Sequence, residues 1–171
     1  MTMESPVVTY DPGTRIGLHF GEIFNIPVND NFALKPGIML SSKGSKYKID
    51  NAEYTFSPTY VELPLNCALS FGSEKVRVTF QGGGYLAYGI GGYKIDPDGN
   101  FIFLNYGRSG VRDGKPFDVG FMGGAGLSIK NFLLSAQYSQ GLRNLSVSEI
   151  AGSDIKNRVI GISVTALFSE K

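Results

Sequence analysis

The feature that most constrains this chain is a two-residue alternation of apolar and polar side chains, repeated in seven segments. Only an extended strand sends successive side chains to opposite faces, so each segment predicts a strand with one apolar face. The first runs from Arg15, with Ile16, Leu18, Phe20, Phe24, Ile26 and Val28 on one side and Arg15, Gly17, His19, Gly21 and Asn25 on the other. Glu22 is its one break. The second opposes Phe32, Leu34, Pro36, Ile38 and Leu40 to Ala33, Lys35, Gly37, Met39 and Ser41, and the third opposes Val61, Leu63, Leu65, Cys67, Leu69 and Phe71 to Tyr60, Glu62, Pro64, Asn66 and Ser70. The same pattern continues over 76–90, 117–129, 132–139 and 159–168. No helical i, i+3, i+4, i+7 stripe is sustained, so the expected class is all-β.

The connections alternate as strictly as the strands. Asn29-Asp30-Asn31, Gly72-Ser73-Glu74-Lys75 and Lys130-Asn131 are tight-turn sequences, each closing a hairpin. Between the hairpins lie polar stretches at 42–59, 91–116 and 141–158, about 18 to 26 residues each and longer than hairpin loops. In an up-and-down antiparallel sheet this puts every tight turn at one end and every long loop at the other. A transmembrane β-barrel has this asymmetry, with short periplasmic turns and long extracellular loops.

Alternation alone does not say which face is inside, because a soluble calyx and a membrane barrel differ only in that choice. The composition of the faces decides between them. The polar face is rich in Gly, Ser, Gln and isolated charges of both signs, whereas the apolar face is nearly free of Lys and Arg over the 9–11 residues that a tilted strand needs to cross a bilayer. A water-facing exterior would carry scattered Lys and Glu. Phe32, Phe71, Phe132 and Phe168 fall at tight-turn ends, and Tyr88, Phe117 and Tyr138 toward long-loop ends, as two interfacial girdles would require. Net charge is +1, from 16 Lys and Arg against 15 Asp and Glu, so no field favours nucleic acid. The lone Cys67 excludes an internal disulfide and a Cys-rich metal site.

Gly17-Leu18-His19-Phe20-Gly21-Glu22-Ile23, then Phe32 to Gly44, then Tyr60-Val-Glu-Leu-Pro-Leu65 form an ordered series. Gly83-Gly-Tyr85, Gly124-Ala-Gly126, Tyr138 to Asn144 and Asn157-Arg-Val159 continue it. The series resembles the outer-membrane β-barrel domain of small porin-like proteins of Bacteroidetes, over about residues 14–168. The resemblance implies a single domain over 1–171, an eight-stranded antiparallel barrel in the bacterial outer membrane, contact with outer-membrane lipid, and a family whose activity is mostly undefined. Family members carry one more Gly-rich strand at the front, where this chain has only Pro6-Val-Val-Thr-Tyr10. Bacterial single-chain barrels have an even strand count, and an unpaired edge in lipid is costly. Residues 1–13 are therefore expected to be irregular or a truncated first strand; an authentic first strand and signal peptide upstream is the favoured alternative.

Three motifs suggest chemistry and fall short of it. Gly82 to Ala87 satisfies G-x-G-x-x-A, but a dinucleotide site needs a helix next and here the alternation continues to Ile90. Asp96-Pro-Asp98-Gly-Asn100 suggests a calcium loop, yet its Gly is at the fourth position rather than the sixth, which reads as a turn. His19 is the only histidine, and Ser41, Ser42 and Asp118 are candidate partners for a hydrolytic site near the rim. Nothing in the sequence brings them together.

No catalytic residue, metal or cofactor is expected. The polar residues Arg15, His19, Lys35, Glu62, Arg77, Gln81, Asp118 and Gln137 are predicted to line the lumen. Charges there must pair, because an isolated buried charge is very unfavourable. A Glu62-centred network with Arg77 or Lys35 is expected to plug the interior. The expected role is structural or binding and non-enzymatic, through the stretches 42–59, 91–116 and 141–158. A soluble calyx for a lipophilic ligand and a narrow pore are the alternatives.

Overall fold

The computed structural model describes residues 13–14, 17–49, 52–73, 75–104, 106, 115–145 and 156–166. All regular structure among them is β: β1 (Gly13–Thr14), β2 (His19–Ile23), β3 (Ile26–Pro27), β4 (Phe32–Ser42), β5 (Ser45–Ile49), β6 (Ala52–Gly72), β7 (Val76–Ile95), β8 (Phe101–Phe103), β9 (Phe117–Ile129), β10 (Phe132–Gly141) and β11 (Arg158–Ala166). Antiparallel ladders join β2 to β4, β4 to β6, β6 to β7, β7 to β9, β9 to β10 and β10 to β11. These seven strands form one curled wall, and all three predicted tight turns lie at the same end of it. In the first turn the Asn29 side chain accepts from the backbone N–H of Asn31 (3.0 Å) and Phe32 (2.9 Å). In the third, Lys130 takes φ 53°, the left-handed conformation that a two-residue hairpin demands.

The two faces are assigned as the alternation predicts. Ala68, Tyr85, Ala87, Met122 and Leu133 are buried on the concave side together with Glu62, Asn66, Thr79, Asp118 and Ser135. Leu63, Leu65, Leu69, Phe71, Phe80, Leu86, Tyr88, Phe121, Ile129, Phe132 and Leu134 are exposed on the convex side. An apolar band of this size on a water-soluble surface would drive aggregation. In hydrocarbon it is the favourable surface. The predicted girdle residues Phe71, Phe132, Tyr88, Phe117 and Tyr138 all lie on this side, whereas Phe32 is half-buried and Phe168 lies outside the described residues.

Three predicted boundaries are corrected. The segment from Arg15 to Val28 is interrupted: β2 and β3 are separated at Phe24 and Asn25, and Arg15 lies outside the described residues. The stretches 42–59 and 91–116 are not simple loops. β6 and β7 run on through them, so that Thr55 pairs with Ile95 and Pro58 with Gly92, while β5 and β8 add to either side. Ladder hydrogen bonds to these added strands replace the membrane as the reason for staying extended, which a hydropathy pattern does not register. A register shift at Thr59/Tyr60 marks where the sheet leaves the barrel wall.

Close packing inside the wall depends on glycine at Gly120, which pairs with Tyr85. A Cβ there would run into the Gln140 carbonyl oxygen and lie 2.6 Å from the Tyr85 ring. Gly120→Ala is expected to lower unfolding stability in detergent micelles by about 1–3 kcal/mol, read as a shift of the urea midpoint. An unshifted midpoint would mean that the ring and strand move apart freely.

Candidate functional site on the concave face

Six successive antiparallel pairings leave β2 and β11 running in the same direction. Among the described residues these two edges share no ladder. They meet through side chains instead: His19 Nε2 and Ser163 Oγ are 2.6 Å apart across 144 residues of sequence. The reach of a histidine plus a serine spans about two inter-strand spacings, roughly 10 Å. His19 is thus an edge-to-edge tie, and its partner is neither Ser41, its register neighbour on β4, nor Ser42, nor Asp118.

The long-loop end of the concave face holds the densest group of polar side chains. Lys43, just past β4, turns inward and places Nζ 2.5 Å from Glu62 Oε1, with the two side chains only 5% and 8% exposed. The ammonium also sits over two rings, 4.5 Å from the centre of Tyr85 and 5.4 Å from that of Tyr60. Such contacts with ring faces strengthen in a desolvated setting. Beside them Asp118 is fully buried. One of its oxygens accepts from the Tyr85 hydroxyl (3.1 Å) and from Asn157 Nδ2 (2.8 Å), and the other from the backbone N–H of Val119 (2.9 Å). The Tyr60 hydroxyl shares hydrogen bonds with Asn157 and Tyr106. The result ties β4, β6, β7, β9 and the start of β11 into one polar layer.

This corrects the predicted partner of Glu62. Neither Arg77 nor Lys35 reaches it, because register separates them along the wall: Glu62 pairs with Ala87, Lys35 with Asn66, and Arg77 with Gly72 at the tight-turn end. Arg77 instead donates from Nη2 to the Asp30 carbonyl. Lys43 lies in the polar stretch 42–59, beyond the alternating segment, so its inward turn leaves no signal in the sequence pattern. Tyr60 and Tyr85 carried a usable signal, being large rings on a face otherwise rich in glycine.

Midway down the wall, Asn66, Gln81, Met122, Gly123 and Gln137 converge around a gap with no space for a water-sized sphere. Asn66 Nδ2 donates to Met122 Sδ at 3.3 Å. Of the predicted lining residues, Gln81 and Gln137 therefore share this middle layer, while Glu62 and Asp118 share the upper one. The Asp96 turn is closed by its own bonds: Oδ1 accepts from the backbone N–H of Asp98 (3.1 Å) and Asn100 (2.8 Å), and Oδ2 from Asn100 Nδ2 (3.0 Å). The bonds from Asn100 hold its carboxyl below the usual carboxylate range. The glycine run Gly82–Gly84 lies within β7, which continues to Ile95 with no helix following.

A wall of antiparallel strands with an apolar outside and a polar inside describes a family as well as a fold, and a family model for the outer membrane protein beta-barrel domain matches residues 1–147. The chain belongs to this family. The match places the outer membrane protein beta-barrel domain in the bacterial outer membrane, with its convex face in contact with lipid. That assignment removes the soluble calyx, which would need the same two faces exchanged. No curated protein and no solved structure matches the chain.

Proposed function

We propose that this outer-membrane barrel is non-enzymatic and non-conducting, with an interior filled by side chains and a structural or binding role exercised at its long-loop end. The observation that carries this reading is the pairing of Lys43 with Glu62 beneath the Tyr60 and Tyr85 rings, next to a fully buried Asp118. A buried ion pair that is also covered by rings opposes the passage of a hydrated ion, which has no comparable solvation to exchange for. The middle layer of Asn66, Gln81 and Gln137 is a second obstruction in series. Small barrels of about eight strands have interiors that side chains just fill, in agreement with this arrangement.

The binding role is assigned to the stretches 42–59, 91–116 and 141–158. Phe101 and Phe103 are exposed on β8 and offer apolar contacts beyond the barrel wall. The test is single-channel recording of the full chain in planar bilayers. No steps are expected for the wild type. Steady ohmic conductance would establish the narrow pore instead.

A further inference from the structure

Among the described residues, β2 and β11 each have a ladder on one side only. The Ser42 N–H donates to the Leu18 carbonyl and the Phe24 N–H to the Pro36 carbonyl, both at 2.8 Å, so the backbone groups of the even residues face β4. By the two-residue period of an antiparallel ladder, those of His19, Gly21 and Ile23 face the other way, toward β11. The lipid-facing side chains report the same one-sidedness. Leu18, Phe20, Ile160, Ile162 and Val164 are 71–82% exposed, whereas no convex aliphatic side chain on β4, β6, β7, β9 or β10 exceeds 60%. Across the seam the His19 imidazole reaches Ser163 Oγ at 2.6 Å, and a Cβ on Gly161 would lie 3.7 Å from His19 Cε1. That crossing spans about two inter-strand spacings, roughly 10 Å, which is the room that one strand takes between two others. Because β2 and β11 run in the same direction, a strand running oppositely between them is antiparallel to both.

We infer that the seam between β2 and β11 is a binding site for one extended polypeptide strand, donated from outside these 171 residues, with apolar side chains toward lipid and small ones toward the lumen. The chemistry of the occupant follows from where it lies. In hydrocarbon both of its backbone edges must be paired, and the two flanking strands do this. Its outward residues complete the apolar band beside Phe20 and Ile162, and a large inward residue would collide with the His19 imidazole that crosses above it. The chain's own ends do not meet this description. The stretch 167–171 is too short for the roughly 9–11 residues of a spanning strand, and 1–12 offers only 6–10, where Pro6 has no N–H to give. The inference rests on the placement of the convex face in lipid and not on whether the interior conducts.

The test adds synthetic peptides of about 11 residues, the span of a tilted strand, to the full chain in detergent micelles. Native mass spectrometry reads binding, and backbone amide exchange followed by NMR reads where the peptide sits. A peptide alternating leucine with glycine is expected to bind one to one and to slow exchange on both β2 and β11, as strand addition requires. The same residues in two blocks, leucines then glycines, are expected to bind about tenfold more weakly, since no register then suits both faces. Alternating leucine with glutamine keeps the two faces but puts bulk beneath His19, and is also expected to bind about tenfold more weakly. Equal binding of all three peptides, or slowed exchange on one edge alone, would overturn the site. Slow exchange on both edges before any peptide is added would overturn it too, because a segment of the chain itself then fills the seam. Should the chain fold only with peptide present, heat-modified gel mobility takes the place of exchange: a shift with the leucine and glycine alternation alone supports the site, and a shift with none or with all three overturns it. Single-channel recording, which tests the closed interior, does not depend on any of these outcomes.

Discussion

Glu62→Gln is expected to lower the unfolding free energy of the micelle-inserted barrel by about 3–5 kcal/mol, read from the urea midpoint and its slope. The substitution preserves shape and removes only the charge. Lys43 would then hold a buried ammonium, 5% exposed, over two rings with its paired carboxylate gone and Asp118 already engaged by Tyr85, Asn157 and Val119. The penalty comes from the stranded cation more than from the lost attraction, which gives the prediction a second arm. Replacing both partners with apolar residues, as in Lys43→Leu/Glu62→Leu, strands neither partner, and because Asp118 keeps its bonds to Tyr85, Asn157 and Val119 the double variant is expected to recover most of the loss. A Glu62→Gln effect below about 0.5 kcal/mol would show that Lys43 swings into solvent, as surface pairs permit. In that case the pair is no plug, and the non-conducting reading loses its main support.

The ion pair also shows where sequence reasoning stops. That Glu62 needs a buried cation follows from its position on the polar face of a strand, and the sequence pattern supplies this directly. Which cation it finds depends on register and on depth along the wall. Arg77 shares the polar face but sits ten positions away along the pairing of β6 with β7, at the level of Gly72 rather than Ala87. Lys43 is close because β4 ends at Ser42 and the chain turns inward, with its N–H bonded to the Pro58 carbonyl at 3.1 Å. Alternation is a local signal and reports faces well. The ladders that extend β6 and β7 beyond the bilayer, and the bond joining His19 to Ser163, are long-range and leave no period-2 trace of their own. Seven readable strands pointed to an edge problem; the shared direction of β2 and β11 explains why those edges meet by side chains and not by the antiparallel ladder used everywhere else among the described residues.

Leu65→Arg tests the face assignment on which all of this depends. Leu65 lies midway along the spanning part of β6, 60% exposed on the convex side, while its neighbour Asn66 is 3% exposed on the concave side. On a soluble protein an exposed leucine exchanged for arginine alters stability by no more than about 0.5 kcal/mol. In the hydrocarbon core of a bilayer the same change costs about 2–4 kcal/mol, since the guanidinium must thin the membrane or draw water inward. The cost depends on depth. Phe71→Arg, at the tight-turn girdle, is expected to lose only what the aromatic ring contributed plus about 0–1 kcal/mol for the charge, because the side chain reaches the headgroups. Refolding into phosphatidylcholine vesicles under a urea titration measures both variants against wild type, with Phe71→Leu separating the ring from the charge. A large charge penalty at Leu65 with a small one at Phe71 fixes the convex face in lipid and sets the height of the bilayer on the wall. Equal penalties at the two depths would mean that the band is covered by protein rather than lipid, and negligible penalties at both would put the convex face in water.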